Sequence, residues 1–447
     1  MKKLYLVHAI DTEGPLYESL TATFERLEKI TGVKLEPTPE NLERVRRQEL
    51  DLGGREEVAS LAVSKALLDY NDTWDKIDAM LEEMLSPEYR ARYADPQGGG
   101  WIYSWFLMDH VGYSVNPRRR DIGYHNIFDH YRALPDAAPD DVQWHFHPMS
   151  TYGEAHIVAT SYLRSPHLLE SLARRVIDRT WFPNCFRPGF HTERPDAHWF
   201  LEQWIPFDFA NQAFPGEDRL ERQADVAGGR LGDWRRAPSD WSPYHPAHDD
   251  YQVPGDCHRT IFRCLNVGTR FRLLDEHEVR RAFARADQGL PTILAFTNHD
   301  FRDMRPDVAQ VHALVEKVSA EFPEVSWQHS RAQDAARAVL ELEGAEPLRL
   351  EAKLERQGNT LRLDVQTNVG TFGPQPFLAV RTLDKRYLTD NFDLQVPRRH
   401  WTYIFDDDTI LPLSLEAIGI AANGMDGSTH TVVLAPSGEK IAETHNG

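Results

Sequence analysis

The 447-residue sequence has only three cysteines, Cys185, Cys257 and Cys264, and none of them has the spacing of a zinc knuckle. A low and odd number of cysteines excludes a disulfide scaffold and is typical of a reducing compartment. The sequence also lacks any run of about 18 apolar residues, the length that a membrane-spanning helix requires. We therefore expect no membrane span.

The sequence has few positive charges for its size. It contains 50 lysines and arginines and 69 aspartates and glutamates, which gives a formal net charge of −19. Nucleic acids and anionic membranes bind basic surfaces, so this balance argues against both as partners. The N-terminal sequence MKKLYLVHAIDTEG has two lysines and a short apolar run, but it has no small-residue cleavage site. We interpret it as the first strand of the fold and expect a cytoplasmic protein.

The sequence does have the composition of a globular protein, with 41% apolar and 27% charged residues. As far as residue 343, apolar strand-like segments such as 3–11, 101–109 and 292–300 alternate with helical segments. This alternation predicts a parallel α/β sheet or barrel. A charged, helix-rich stretch at about 36–95 interrupts it, and we interpret that stretch as a helical insertion.

The character of the sequence changes between residues 343 and 346. Short segments in which apolar and polar residues alternate, such as TLRLDVQT, are separated by turns as far as residue 447. Strict alternation leaves one face of a strand buried and the other solvated, which indicates an antiparallel β-sandwich. The sequence thus predicts an α/β domain at 1–343 and a smaller accessory β-sandwich domain at 346–447.

Two pairs of side chains with metal-binding or proton-transfer chemistry follow predicted strands. Asp11 and Glu13 end the first strand, and residues two apart on a strand point to the same side. His145 and His147 are related in the same way, and two imidazoles so placed suit a metal such as Zn²⁺. The C-terminal ends of parallel strands are where α/β folds place their sites. The alternative interpretations are a helix-capping acidic pair and structural histidines.

Further candidates are weaker when each is taken alone. Arg187, in Arg187-Pro188-Gly189, is a charge on a rigid turn, and His299 follows an apolar strand. Each is by itself more typical of a structural residue. Asp109-His110 ends the second predicted strand and is placed to border a site, and Asp208 is one of many aspartates able to orient an imidazole. The segment 241–259, rich in His, Tyr and Asp, is either a substrate loop or a packed loop.

The order of these pieces resembles the polysaccharide deacetylase family with the NodB-type domain, also called carbohydrate esterase family 4. That family has an acidic pair after the first strand, a histidine pair in mid-domain, an Arg-x-Pro motif and a late histidine after an apolar strand. The common motifs have adjacent aspartates and histidines spaced by three, so the chain is similar to a divergent Asp-x-Glu and His-x-His-Pro branch. The resemblance covers about 1–335 without the insertion, and implies a distorted (β/α)7 barrel.

The resemblance also implies an activity, namely the metal-dependent removal of an N-acetyl group from an amino sugar or a glycoconjugate precursor. The ligands of a divalent metal, with zinc as the first candidate, would be Glu13, His145 and His147. Asp11 would be the general base, held in place by Arg187, and His299 would be the general acid. An exchange of roles between Asp11 and Glu13 stays open, and so does whether both histidines bind the metal.

Two other functions stay open as well. One is a catalytically inactive carbohydrate-binding or scaffolding protein, which predicts no stoichiometric metal. The other is a related barrel hydrolase that acts on another C–N bond or on a glycosidic bond. A glycosidase of the usual type requires two carboxylates about 5–9.5 Å apart and no metal. For the enzymes we expect a small-molecule or oligosaccharide substrate.

Overall fold

The N-terminal part of the chain is a closed parallel barrel. The computed structural model describes residues 2–134, 139–148, 161–215, 232–269 and 272–446. Seven parallel strands pair in a ring: β1 (Lys3–Thr12), β2 (Tyr103–Met108), β3 (Asp141–Phe146), β4 (Cys185–Pro188), β5 (Phe207–Asn211), β6 (Thr260–Asn266) and β7 (Thr292–His299). An eighth strand, β8 (Ser326–His329), pairs with the first half of β1, whose second half pairs with β2. The ring agrees with the predicted α/β barrel.

Helices connect these strands, and several of them lie between β1 and β2, where the sequence predicted an insertion. In that interval are α1 (Leu20–Thr31), α2 (Pro39–Arg46), α3 (Glu56–Ala62), α4 (Lys65–Leu68), α5 (Trp74–Met84) and α6 (Pro87–Arg92). The hydroxyls of Thr38, Thr73 and Ser86 cap α2, α5 and α6, and Pro39 and Pro87 occupy first-turn positions.

The other helices of this part follow later strands. They are α7 (Asn126–Arg132), α8 (His167–Arg179), α9 (His198–Trp204), α10 (Glu276–Asp287), α11 (Arg305–Ser319) and α12 (Ala332–Val339). No helix within the described ranges combines the length and the apolar character that crossing a membrane requires.

Side chains of the barrel strands alternate between two cores. The inner cluster includes Tyr5, Val7, Ala9, Phe106, Phe209, Phe262 and Ala295. The outer cluster, between barrel and helices, includes Leu4, Leu6, Ile10, Trp105, Leu294 and Phe296. Both faces of these strands are therefore apolar, as in other enclosed parallel sheets. Asp11 and Glu13 continue the inner set of β1, so the inner face becomes charged at the C-terminal end of the barrel.

His8 is a fully buried histidine of the outer layer that is held as one neutral tautomer. The Trp101 indole N–H donates to Nδ1 of His8 (3.1 Å), so the ring proton is on Nε2, which donates to Oδ1 of Asn298 (2.9 Å). Burial lowers the pKa of His8 to about 3. A proton on Nδ1 would break the bond from Trp101 and place a charge in an apolar layer.

The folded protein is therefore expected to lose stability as the pH falls below about 6.5, the ordinary pKa of histidine. Because its folded-state pKa is lowered, the contribution of His8 is complete above that pH and declines toward pH 3, by about 1.4 kcal/mol per pH unit. Urea unfolding followed by circular dichroism, between about pH 7.5 and 4.5, measures this slope. His8→Gln keeps a donor and an acceptor without titrating and should reduce the slope by up to about 1.4 kcal/mol per pH unit. Equal slopes of unfolding free energy against pH for the unmodified protein and His8→Gln would contradict the prediction.

The C-terminal part consists of two antiparallel sheets, as the alternating segments predicted. One sheet has the order β13 (Asp393–Val396), β14 (His400–Phe405), β10 (Thr360–Thr367) and β9 (Leu350–Gln357). The other has the order β12 (Tyr387–Asp390), β11 (Phe377–Thr382), β15 (Leu415–Asn423), β16 (Thr429–Leu434) and β17 (Lys440–Asn446). Side chains from both sheets, among them Leu363, Trp401, Val380 and Ile420, share one hydrophobic cluster.

The five-stranded sheet packs directly on α8 of the barrel part. A Cβ at Gly419 would lie 2.5 Å from Cγ1 of Val176, so only glycine permits this approach. The Asn423 side-chain amide donates to the backbone carbonyls of Pro183 and Trp204, at 2.7 Å each. The two parts therefore share a packed, hydrogen-bonded interface.

Candidate metal centre

The six predicted site residues meet at the C-terminal end of the barrel: Asp11, Glu13, His145, His147, Arg187 and His299. Strand register accounts for most of this. Asp11 in β1 lies beside His299 in β7, and His145 in β3 lies beside Arg187 in β4. Glu13 and His147 come directly after β1 and β3, two residues beyond Asp11 and His145, so they extend the same inward-facing side.

Glu13, His145 and His147 form a buried cluster that can hold a metal ion. The Nε2 atoms of the two histidines are 3.0 Å apart, and Oε1 of Glu13 lies 3.4 Å from Nε2 of His147 and 3.8 Å from that of His145. One point inside this triangle lies about 2.0 Å from all three atoms. This distance matches zinc–nitrogen and zinc–oxygen bond lengths. Three protein ligands are typical of catalytic zinc sites, which keep a position for water or substrate.

Hydrogen bonding prepares His145 to be a ligand. Its Nδ1–H donates to the backbone carbonyl of Arg187 (3.0 Å), so the lone pair is on Nε2, which faces His147. Metal-binding histidines usually donate their other ring N–H to a carbonyl or a carboxylate in this way. Burial lowers the pKa of His147, which favours the neutral ring that a metal requires.

Gly189 makes room for the ring of His147. A Cβ at this position would lie 2.1 Å from Cδ2 of His147, which no side chain tolerates. Phe190 then packs edge-on against the same ring, with centroids 4.9 Å apart. The Arg-Pro-Gly motif therefore positions Arg187 and also shapes the space for the imidazole of a candidate metal ligand.

Arg187 holds Asp11 through a two-point ion pair. Its Nε donates to Oδ1 (2.6 Å) and its Nη2 to Oδ2 (3.0 Å), and the side chains are 0% and 2% exposed. Burial alone would raise the pKa of Asp11, but the charge of Arg187 and its hydrogen bonds to the carboxylate hold this pKa well below its usual value. Asp11 is therefore ionised and fixed in orientation.

Glu13 has an arginine partner that the sequence did not predict. Nη2 of Arg120 lies 2.6 Å from Oε2 of Glu13, while Oε1 faces the two histidines. Burial would raise the pKa of Glu13, but Arg120 and His147 hold it well below its usual value. The Arg120 guanidinium therefore fixes the orientation of a candidate metal ligand.

Asp300 and His110 anchor the backbone that follows β1. The backbone N–H groups of Glu13 and Gly14 donate to the Asp300 carboxylate (2.8 and 2.9 Å), which also accepts from the Tyr131 hydroxyl (2.8 Å). Nε2–H of His110 donates to the carbonyl of Glu13 (3.1 Å). His110 thus borders the site and the residue after His299 supports it, whereas Asp109 forms a buried ion pair with Arg175 of α8 and does not border the site.

His299 is the most exposed of the six, with a side chain 19% exposed. Its Nε2 lies 3.9 Å from Oδ2 of Asp11 and 3.7 Å from Oε1 of Glu13. Burial lowers the pKa of His299 to about 4, although both carboxylates oppose this shift. The ring is therefore neutral at pH 7 and able to accept a proton.

Two weaker candidates lie elsewhere. Asp208 faces away from the inner cluster and pairs with the buried Arg259 (Nε–Oδ2 3.4 Å), so it does not orient His299. Tyr244 and Tyr251, from the segment 241–259, join Trp234 in a small apolar cluster. This packing agrees with the interpretation of that segment as a packed loop.

The centre thus combines three atoms that can hold a metal ion, an ionised carboxylate held by an arginine and a neutral imidazole at the rim. This set can bind a divalent ion and move protons beside it. No protein-family model, curated protein or solved structure matches this chain. Its function is therefore inferred from the chemistry of the site.

Proposed function

We propose that this chain is a metal-dependent hydrolase that removes an N-acetyl group from an amino sugar or a glycoconjugate precursor, as the resemblance to polysaccharide deacetylases implies. The main support is the position of Asp11 and His299 next to the three-atom cluster. Amide hydrolysis requires an activated water, a polarised carbonyl and a proton for the leaving nitrogen.

Glu13, His145 and His147 would hold the metal, and zinc suits their nitrogen and oxygen atoms and their spacing. When bound, zinc lowers the pKa of its water to about 7 and polarises the acetyl carbonyl. The bond between His145 and the Arg187 carbonyl and the ion pair between Glu13 and Arg120 keep two ligands oriented before the metal arrives.

Asp11 accepts the proton of the attacking water, and Arg187 keeps its carboxylate ionised and correctly oriented. A carboxylate whose pKa is this low is a weak base, so the proton has to move on. Nε2 of His299, 3.9 Å from Asp11, is placed to receive it. His299 then protonates the leaving amine. In this scheme a histidine that is neutral at rest becomes the acid during the reaction.

A glycosidase is less consistent with this site. Such an enzyme needs one carboxylic acid whose pKa is raised, so that it is protonated when the substrate binds. Neighbouring arginines instead hold the pKa values of both Asp11 and Glu13 below their usual range. Neither carboxyl group is therefore available as an acid near neutral pH.

Metal analysis and acetate release test the proposed function together. Protein purified without chelators is expected to contain about one equivalent of divalent metal and to release acetate from some members of a panel of N-acetylated amino sugars. A chelator should abolish the release and added zinc should restore it. Protein that neither binds zinc nor releases acetate would favour the binding or scaffolding alternative. Metal with a different product would indicate a related hydrolase.

A further inference from the structure

Arg120 has hydrogen-bonding capacity beyond its ion pair with Glu13. Its Nε and Nη1 are buried and make no hydrogen bond within the part of the chain that the structure describes. The side chain is 7% exposed, so bulk water does not satisfy these donors either. Most buried N–H groups have a partner, and an ordered water or an ion is one explanation for those that have none.

A second arginine contacts the same aromatic ring as Arg120. The guanidinium carbon of Arg120 lies 5.2 Å from the centroid of the Phe301 ring, and that of Arg302 lies 4.9 Å from it. The ring of His299 packs against Phe301 with centroids 4.7 Å apart. Phe301 therefore contacts both cations as well as the imidazole that faces the two carboxylates.

The charge of the loaded centre also favours an anion. Asp11 is paired with Arg187 and Glu13 with Arg120, so the two carboxylates are balanced before any ion binds. A divalent ion would then add about two positive charges that these pairs do not compensate. An anionic group of the substrate would reduce this excess.

We propose that Arg120 binds an oxyanion of the substrate, so that the preferred acylated sugar has a carboxylate or a phosphate close to its acetamido group. This specificity rests on the proposed deacetylase function. Guanidinium groups bind both anions through charge-assisted hydrogen bonds, and the unpartnered Nε and Nη1 of Arg120 supply the donors. Arg120 is thus a specificity-determining residue as well as the partner of Glu13.

Calorimetric titration of the zinc-loaded protein with inorganic phosphate and with acetate tests anion binding without turnover. Arg120→Lys keeps a charge beside Glu13 but removes the guanidinium donors. We expect it to be loaded at saturating zinc, with a lower zinc affinity, and to bind the preferred anion at least tenfold more weakly than the unmodified protein. Arg356→Lys, at an exposed position in β9, is the matched control and should bind as the unmodified protein does. Equal dissociation constants for the unmodified protein and Arg120→Lys would overturn the proposal.

Substrate comparison gives a second test that needs no variant. N-acetylated sugars with a carboxylate, with a phosphate and with neither are compared by kcat/KM for acetate release, and one acidic class should exceed the neutral class at least tenfold. The acidic class with the higher kcat/KM identifies the anion that Arg120 binds. Equal values would mean that water satisfies Arg120, and the proposal would fail. If no sugar releases acetate, the deacetylase function fails, whereas the calorimetric result still decides whether Arg120 binds anions.

Discussion

His147→Ala is expected to remove most of the bound divalent metal. The ring would supply one of the three metal-binding atoms, and its Nε2 lies 3.0 Å from that of His145 and 3.4 Å from Oε1 of Glu13. Changes to the outer partners of metal ligands already reduce affinity 10–100-fold, so loss of a ligand should cost at least about 100-fold. Zinc measured after dialysis, and by competition with a chromophoric chelator, gives the affinity.

His277→Ala, at an exposed position in α10, makes the same chemical change away from any metal-binding group and should keep a full equivalent of zinc. Circular dichroism should show that both variants are folded. A folded His147→Ala protein that retains a full equivalent of zinc with unchanged affinity would show that His147 is not a ligand.

The predicted site residues come together because each lies at the C-terminal end of a parallel strand, at a position whose side chain faces the inside of the barrel. Asp11 and Glu13 continue the inward-facing side of β1, and Asp11 lies beside His299 in the strand register. The alternation of inward-facing and outward-facing residues along a strand can be seen in the local sequence. The C-terminal ends of the parallel strands of a barrel lie together, so residues at these ends are expected to meet. The barrel and the β domain were predictable for the same reason, because burial on one or both faces leaves a mark in the sequence.

The supporting residues were not predictable because their contacts span long distances in the chain. Arg120 lies in the polar run Arg118-Arg119-Arg120, which carries no periodic signal, and its partner Glu13 belongs to another element. Asp300 binds backbone N–H groups 287 and 286 residues away, at Glu13 and Gly14. Nothing in the sequence around either residue specifies these partners.

One barrel strand was also not predicted, for a physical reason. The sequence of β6, TIFRCLN, has an arginine in an otherwise apolar run. In the fold, Arg263 faces the outer layer, where its guanidinium lies 2.5 Å from the carboxylate of Glu278 in α10. The buried ion pair lets a charged residue occupy a strand that is buried on both faces. A single-sequence reading of hydrophobicity does not detect such a compensation.

Asp11→Asn and His299→Ala should each abolish most of the hydrolytic activity while the metal stays bound. Asp11→Asn removes the charge that accepts the proton of water, and His299→Ala removes the group that protonates the leaving amine. General acid–base catalysis contributes about 10²–10⁴-fold, so each variant should lose activity within that range. Acetate release from the best N-acetylated sugar, measured at matched zinc content, gives the effect. Asp75→Asn, at an exposed position in α5, is the control and should retain full activity.

The Asp11→Asn variant also leaves the buried guanidinium of Arg187 without its carboxylate, so folding has to be measured beside activity. Loss of one partner of a buried ion pair typically costs about 3–5 kcal/mol of stability. We therefore expect a lower thermal midpoint for Asp11→Asn, and a midpoint closer to normal for His299→Ala, whose side chain is partly exposed. A folded, zinc-loaded Asp11→Asn protein with full turnover would exclude Asp11 as the base.

The metal content of two matched variants assigns the acidic roles. Oε1 of Glu13 lies within 3.8 Å of Nε2 in both histidines, whereas the contact between Asp11 and His145 is with Nδ1 (3.5 Å), the nitrogen that donates to the Arg187 carbonyl. Glu13→Gln should therefore lose zinc and Asp11→Asn should keep it. The opposite result would exchange the roles of base and ligand. If both variants keep zinc and full turnover, the acidic pair is structural and the mechanism drawn from Asp11 and His299 fails.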